Sequence, residues 1–282
     1  MTVNFCGITR ASKFYTDNCL LYYKILLESV VQDINRLKEK NFKYCRIQNL
    51  VSSEIFTLDM KINLRKTFKP ELKCRMNYSY HLPYIFNNIK DSNFEYVKNY
   101  LIKLSYFIQN QSLYNLIICT HLSGNEKNDV ENWSRLFFIV AKETGLSLKN
   151  YLCFENCDKG ANLESTYKIS KYFNIPFVYD NLHDYLNSSR YFKFKDGLDY
   201  YLYSWKLNNH LPYIHYSSYV DNKGTHGNKI YSDLFDVLDI LKYNCKELIL
   251  VPELVHYEKA IVDFNTDIGK ELNWLSNVRF NY

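Results

Sequence analysis

Histidines and carboxylates recur in this chain at one kind of place. His81, His121, His183, His215 and His226 fall at or just beyond the ends of short apolar runs, and Glu155, Asp180 and Glu253 do the same. Imidazole and carboxylate are the side chains that bind zinc or manganese. One such histidine would mean little, since a lone strand-end histidine is usually a hydrogen-bonded structural residue. Successive runs that each deliver a His, Asp or Glu need another reason, because buried carboxylates are costly unless paired or metal-bound. The set predicts a site for two or three divalent ions. Nitrogen and oxygen ligands without thiolate suit Mn²⁺ or Zn²⁺, and less well Fe²⁺. Glu155 and Glu253 are the candidates to bridge two ions at about 3.5–4 Å, an arrangement that holds a phosphodiester for in-line attack. With His215 they form the candidate catalytic set.

Such a set needs a frame that brings distant strand ends together. Apolar runs at residues 3–9, 44–50, 74–81, 115–122, 150–156, 176–180, 212–217 and 247–253 read as strands. Stretches at 17–40, 94–109, 129–144, 163–173, 197–205 and 232–243 read as helices, with a short one near 59–67 and helix again to about 276. In the first of these, Leu20, Leu21, Ile25, Val30, Val31 and Ile34 recur at helical spacing. Alternation of this kind predicts right-handed βαβ units and a parallel sheet. Eight repeats favour an α/β fold of the closed (β/α)₈ TIM-barrel type, whose sites lie at the C-terminal ends of the strands. No GxGxxG or GxxxxGK[ST] follows any strand, which removes the simplest nucleotide-binding readings.

No low-complexity linker divides the 282 residues, so residues 1–282 read as a single domain. The composition, 47% hydrophobic and 23% charged, supplies a core. A net charge of +5 permits a polyanionic partner and falls far short of a histone-like protein. Eight cysteines occur without a CxxC pair, and no segment approaches the roughly 18 apolar residues of a membrane span. The expectation is an intracellular protein of a reducing compartment, nucleus or cytoplasm, with buried thiols and no membrane contact. Cys157, beside Glu155, is expected to be structural.

The runs LCFENCDKG, IPFVYDNLHDYLN, LPYIHYSSYVDNKGTHG and VPELVHYEKA together resemble the UV damage endonuclease family. That family carries Glu-Asn-Asp on strand five, Asp-x-x-His-His on strand six, Pro-Lys-x-His-x-Ser on strand seven with a further His, and a closing Glu-Ala-Lys-x-Lys. NLIICTHLSG is similar to its strand-four Leu-His-Leu-Gly-Gly, and YCRIQNLVS to its strand-two segment, with Arg46 as the match. The resemblance implies a metal-dependent endonuclease that nicks damaged double-stranded DNA on the 5′ side of ultraviolet photoproducts, acting as a monomer. By motif match it makes His81, His121, Glu155, Asp180, His183, His215, His226 and Glu253 metal ligands.

The departures fall on the positions that read the lesion. The family's His-Pro-Gly-Gln-aromatic becomes His81-Leu-Pro-Tyr84-Ile85-Phe86-Asn87, closer to a His-x-x-Tyr-x-x-Asn run of endonuclease IV. Its Gly-Tyr is Gly7-Ile8, and its strand-seven Lys is Tyr213. Ile8, Arg46, Tyr84, Ile85 and Tyr213 are therefore the candidate DNA-contacting residues, with Ile8, Tyr84, Ile85 and Phe86 as candidate wedges between bases. Three rival readings accompany this one: an abasic-site endonuclease, a sugar isomerase or epimerase of the same barrel class, and a damage-binding protein that does not cut.

Overall fold

A computed structural model describes residues 1–8, 32, 35–37, 39–40, 42–47, 77–111, 115–218, 226–231, 233–254, 259–261, 263 and 278–281. The strands are β1 (Thr2–Ile8), β2 (Tyr44–Ile47), β3 (Asn77–His81), β4 (Ile117–His121), β5 (Leu152–Glu155), β6 (Phe177–Asp180), β7 (Tyr213–Tyr216), β8 (Glu247–Pro252) and β9 (Arg279–Asn281). The helices are α1 (Asp91–Gln111), α2 (Glu126–Thr144), α3 (Leu163–Phe173), α4 (Asn181–Leu186), α5 (Leu198–Leu207) and α6 (Asp233–Leu241). Strand order is β2-β3-β4-β5-β6-β7-β8-β1-β9, and β1 also pairs with β2. Eight strands thus close on themselves in a (β/α)₈ TIM barrel. The predicted helices at 17–40, at 59–67 and up to 276 fall largely outside the described residues.

The sequence dictates these elements by familiar means. Residues 117–121, IICTH, are buried throughout, as a parallel strand covered on both faces requires. In α2, Trp133, Leu136, Phe137 and Val140 make one buried stripe at helical spacing. Asn162 caps α3 by accepting from Ser165 N at 3.0 Å, and Asn174 ends it in the left-handed region at φ 56°. Two elements escaped the sequence reading. The six-residue α4 is too short for a periodic signal, and β9 adds in parallel to β1 with only three residues. No helix among the described residues is long and apolar enough to cross a membrane.

Two compact units divide the chain. One comprises Met1–Gly7, His121–Glu126 and Cys153–Tyr282, and contains β5 to β9. Its packing uses several of the chain's 27 tyrosines and 18 phenylalanines. Phe177, Phe194, Tyr201, Trp205 and Tyr213 lie buried in successive ring contacts, and the Tyr201 hydroxyl donates to Tyr213 O at 2.8 Å. The other comprises Ile8–Thr120 and Lys127–Leu152. There β2 to β4 pair in parallel, and Tyr80 and Tyr100 share a buried hydroxyl–hydroxyl bond. The described cysteines are all buried, as expected of thiols used for packing.

Candidate metal centre

Register decides which side chains meet in the first unit. Glu155 pairs with Val178, Asp180 with His215, and His215 with Val251. Asp180 lies two residues beyond Val178, and Glu253 two beyond Val251, its N–H still donating to Tyr216 O at 2.8 Å. Side chains alternate with period two along a strand, so Glu155, Asp180, His215 and Glu253 all emerge on one face. Their donor atoms converge, all within 4.8 Å of one another. His215 Nδ1 stands 2.7 Å from Glu155 Oε1 and 3.0 Å from Glu253 Oε1. Ligand atoms at about 2.1 Å from one zinc or manganese ion would sit only slightly further apart, roughly 3.0–3.4 Å.

His183 and His226 are held by backbone carbonyls. His183 Nδ1–H donates to Asn156 O at 2.8 Å, and His226 Nδ1–H to Glu253 O at 2.7 Å. A carbonyl only accepts, so each of these rings carries its proton on Nδ1 and offers Nε2. A metal-ligating imidazole is held in this way, its other ring N–H donating to a carbonyl that fixes the ring's orientation. His121, the last residue of β4, sets Nδ1 3.4 Å from Glu155 O, its Nε2 4.0 Å from Glu155 Oε2 and its ring 5.1 Å from that of His183. Burial pulls the His183 pKa down, but the negative charges of Asp180 and Glu155 outweigh it and hold the group above its ordinary 6.5.

One atom points directly to a cation. Asp180 is fully buried, its Oδ1 accepts the His183 N–H at 2.9 Å as the cap of α4, and its Oδ2 has no hydrogen-bond partner among the described residues. A buried carboxylate oxygen without a donor costs on the order of 1–3 kcal/mol or more. A divalent ion beside Glu155, His215 and Glu253 would remove that cost. The residues present fit such an ion.

Loop backbone holds these groups in place. Gly160 lies so close to the end of β4 that a Cβ there would overlap Leu122 O, and Ala161 N donates to that same oxygen at 3.0 Å. Gly227 does the same beside His226, donating to Ser218 O where a Cβ would strike Ser218 Oγ. Sequence reasoning passed over three polar braces. Asn156, fully buried, bonds both backbone groups of Asp180 at 2.9 Å. Ser217 Oγ lies 2.9 Å from His226 Nδ1 and donates to Glu253 O, and Asn181 brackets the Ser217 backbone. Asn156 and Ser217 stand within the Glu-Asn and His-x-Ser motifs, which was the available signal. Burial pushes the Cys157 thiol up to about 11, well away from thiolate chemistry.

The other predicted residues belong to the second unit or lie buried. His81 ends β3, with Nδ1–H donating to Leu82 O at 2.8 Å, the same habit as His183 and His226. Arg46 is buried in β2, only 5% exposed, so this candidate too has little surface to offer DNA. Ile8 ends β1, and its side chain falls outside the described part. A 3₁₀ turn from Tyr84 to Asn87 follows Pro83: it leaves Tyr84 85% exposed and Ile85 37% exposed, and it buries Phe86. Phe86 is therefore core and no wedge. Tyr213 needs correction too. It is 2% exposed and stacked on Trp205 at 5.5 Å, so its side chain has no surface to offer DNA.

Comparison with known proteins bears on the same residues. The sequence pattern of the family described as UV-endonuclease UvdE matches residues 27–275. No curated protein matches. Among solved structures, the fold is similar to the crystal structure of SacUVDE, at 17% identity and a TM-score of 0.72, over 97% of this chain and 99% of that one. It is similar to endonuclease IV from Thermus thermophilus at 11% identity and 0.57, covering 94% and 96%. A third likeness is the probable 3-DHS dehydratase AsbF from Bacillus anthracis, at 10% and 0.55, covering 95% and 98%. At these identities the structural likenesses carry the barrel fold and no more.

Proposed function

The chain belongs to the UV-endonuclease UvdE family, and from that premise we propose that it is a metal-dependent endonuclease, one domain acting as a monomer, that nicks damaged double-stranded DNA on the 5′ side of ultraviolet photoproducts. The observation that carries the metal dependence is the donor cluster of Glu155, His215 and Glu253 beside the orphaned Asp180 Oδ2. In this reading His121, Glu155, Asp180, His183, His215, His226 and Glu253 hold two or three divalent ions, manganese or zinc. Ions so held would supply a nucleophile at neutral pH and neutralise charge on the phosphodiester. Glu155 and Glu253 lie on either side of His215, which suits them to bridging roles. The carbonyl-fixed His183 and His226 keep Nε2 aimed without rotational freedom, so little reorganisation accompanies the reaction.

A second reading, cleavage at abasic sites, draws support from the exposed Tyr84 in the His81-Leu-Pro-Tyr84 run. An exposed ring on a short rigid turn suits the gap left by a missing base. One experiment separates the two. Duplexes carrying a cyclobutane dimer, a 6-4 photoproduct or an abasic site are incubated with the protein and Mn²⁺, Zn²⁺ or Mg²⁺. Nicking 5′ to the photoproducts supports the first reading, and nicking at the abasic duplex alone supports the second. Intact duplexes throughout would defeat both.

A further inference from the structure

The chain between α4 and α5 interleaves cations with rings: Arg190, Tyr191, Phe192, Lys193, Phe194, Lys195. The two phenylalanines anchor it. Phe194 is buried and stacks on Tyr179 of β6 with centroids 4.3 Å apart, and Phe192 packs on Tyr167 of α3 at 4.8 Å. Gly197 sits beneath, where a Cβ would meet the Phe192 ring at 3.0 Å. Hydrogen bonds fix the approach to the segment. Asn187 Nδ2 donates to Cys157 O and Gly160 O, and Ser189 Oγ accepts from Glu164 N at 3.1 Å. These bonds tie it to the loop that follows Glu155 at the end of β5 and to the first turn of α3. Lys193 lies near enough to Asp184, the neighbour of His183, to act on its carboxyl.

The other four side chains face water. Tyr191 is 79% exposed with the Arg190 guanidinium 5.0 Å from its ring centre, and Lys193 and Lys195 are exposed. Among the described residues no carboxylate forms an ion pair with Arg190, Lys193 or Lys195. Packing accounts for the phenylalanines. It leaves unexplained why three cations with no carboxylate ion pair among the described residues, Lys193 bonded only to the Ser189 carbonyl, and a large exposed ring are presented together on a braced segment. We propose that residues 190–195 bind the DNA strand flanking the scissile bond, with phosphates on Arg190, Lys193 and Lys195 and a base or sugar against Tyr191. The chemistry is that of a strand-tracking surface, in which cations follow the backbone and an aromatic face accepts any base. This inference rests on the nuclease reading of the same unit.

The test measures binding of the full-length chain to a fluorescein-labelled undamaged duplex by anisotropy across a salt series, with nicking of an irradiated duplex run in parallel. Each phosphate neutralised contributes about 0.9 to the slope of log affinity against log salt. Removing Arg190, Lys193 and Lys195 as alanines should lower that slope by roughly two to three. Tyr191→Ala should weaken binding by about tenfold to a hundredfold and leave the slope unchanged, as loss of one stacked base does. A control removes three exposed cations at the other ends of the strands and helices, Lys171, Lys206 and Lys246, and should keep the wild-type slope. Wild-type affinity and slope in the first two variants would overturn the inference while wild-type nicking still upheld the nuclease reading. Wild-type protein that neither binds nor nicks DNA would overturn both.

Discussion

Nδ1 of His215 on β7 stands 2.7 Å from Oε1 of Glu155 on β5, across 60 positions of chain. Both side chains are almost fully buried, at 2% and 1% exposure. A second carboxylate, Glu253, lies 3.0 Å from the same nitrogen. Like charges crowded around one imidazole in the interior need a cation for balance.

Glu155→Gln keeps the shape of the side chain and removes its charge. Nicking of irradiated plasmid should be abolished, because ions that lose a bridging carboxylate can no longer hold the phosphodiester for in-line attack. The circular dichroism spectrum should stay that of the wild type. Undiminished nicking by this variant would remove Glu155 from the reaction.

Chelation should destabilise the wild type. An ion present at a hundred times its dissociation constant stabilises the folded chain by about 2.7 kcal/mol. Thermal melts with and without chelator should therefore separate by several degrees, and the gap should shrink in Glu155→Gln. Coincident melts for the wild type, with metal analysis finding none bound, would count against a resident ion.

Asp180 has two tasks, one for each oxygen, and two substitutions divide them. Asp180→Asn retains an N-cap for α4 and should keep stability while lowering metal content. Asp180→Ala loses the cap as well, at a further cost of about 1 kcal/mol in urea unfolding. Equal metal content in wild type and Asp180→Asn would show that the orphaned Oδ2 has some other purpose.

The His183 charge makes metal-free stability depend on pH. Its folded pKa lies above the ordinary 6.5, since Asp180 and Glu155 outweigh the opposing effect of burial. The stabilisation is fully present below the unfolded pKa and is lost as pH rises through the folded value. Urea midpoints of the chelated protein should therefore fall as pH climbs above 6.5, and His183→Gln should flatten that fall. An ion competes with this proton, so metal affinity should rise over the same window.

Tyr84, 85% exposed, contributes no core packing. Tyr84→Ala should change stability by less than about 0.5 kcal/mol. Binding to an abasic duplex should weaken by about 1–3 kcal/mol, the worth of one stacked ring. Equal affinity for intact and abasic DNA in wild type and variant alike would remove Tyr84 from lesion reading.

Much of this protein is legible in its sequence. The helix at Leu163–Phe173 falls where periodicity puts it, and the strands of the barrel lie within the apolar runs that foretold them, with ends trimmed by a few residues, except β1, which starts one residue early at Thr2. Strand ends are equally plain, because a parallel strand buried on both faces is a short apolar run and the first polar residue marks its exit. That rule finds Glu155, Asp180 and His215, whereas His81 and His121 close their strands only after an earlier Ser or Thr.

Tertiary structure decided what the run of letters could not carry. Register set Glu155, Asp180, His215 and Glu253 on one face, and a slip of one residue in any strand would have turned its member away. Asn156 and Ser217 became braces only once their partners, distant in sequence, lay beside them. Tyr213 and Phe86 left the DNA-contacting set because burial depends on which neighbour covers a ring, and Trp205 covers Tyr213. A sequence names the groups able to bind metal. Packing and strand pairing, both long-range, fix which of them share a site.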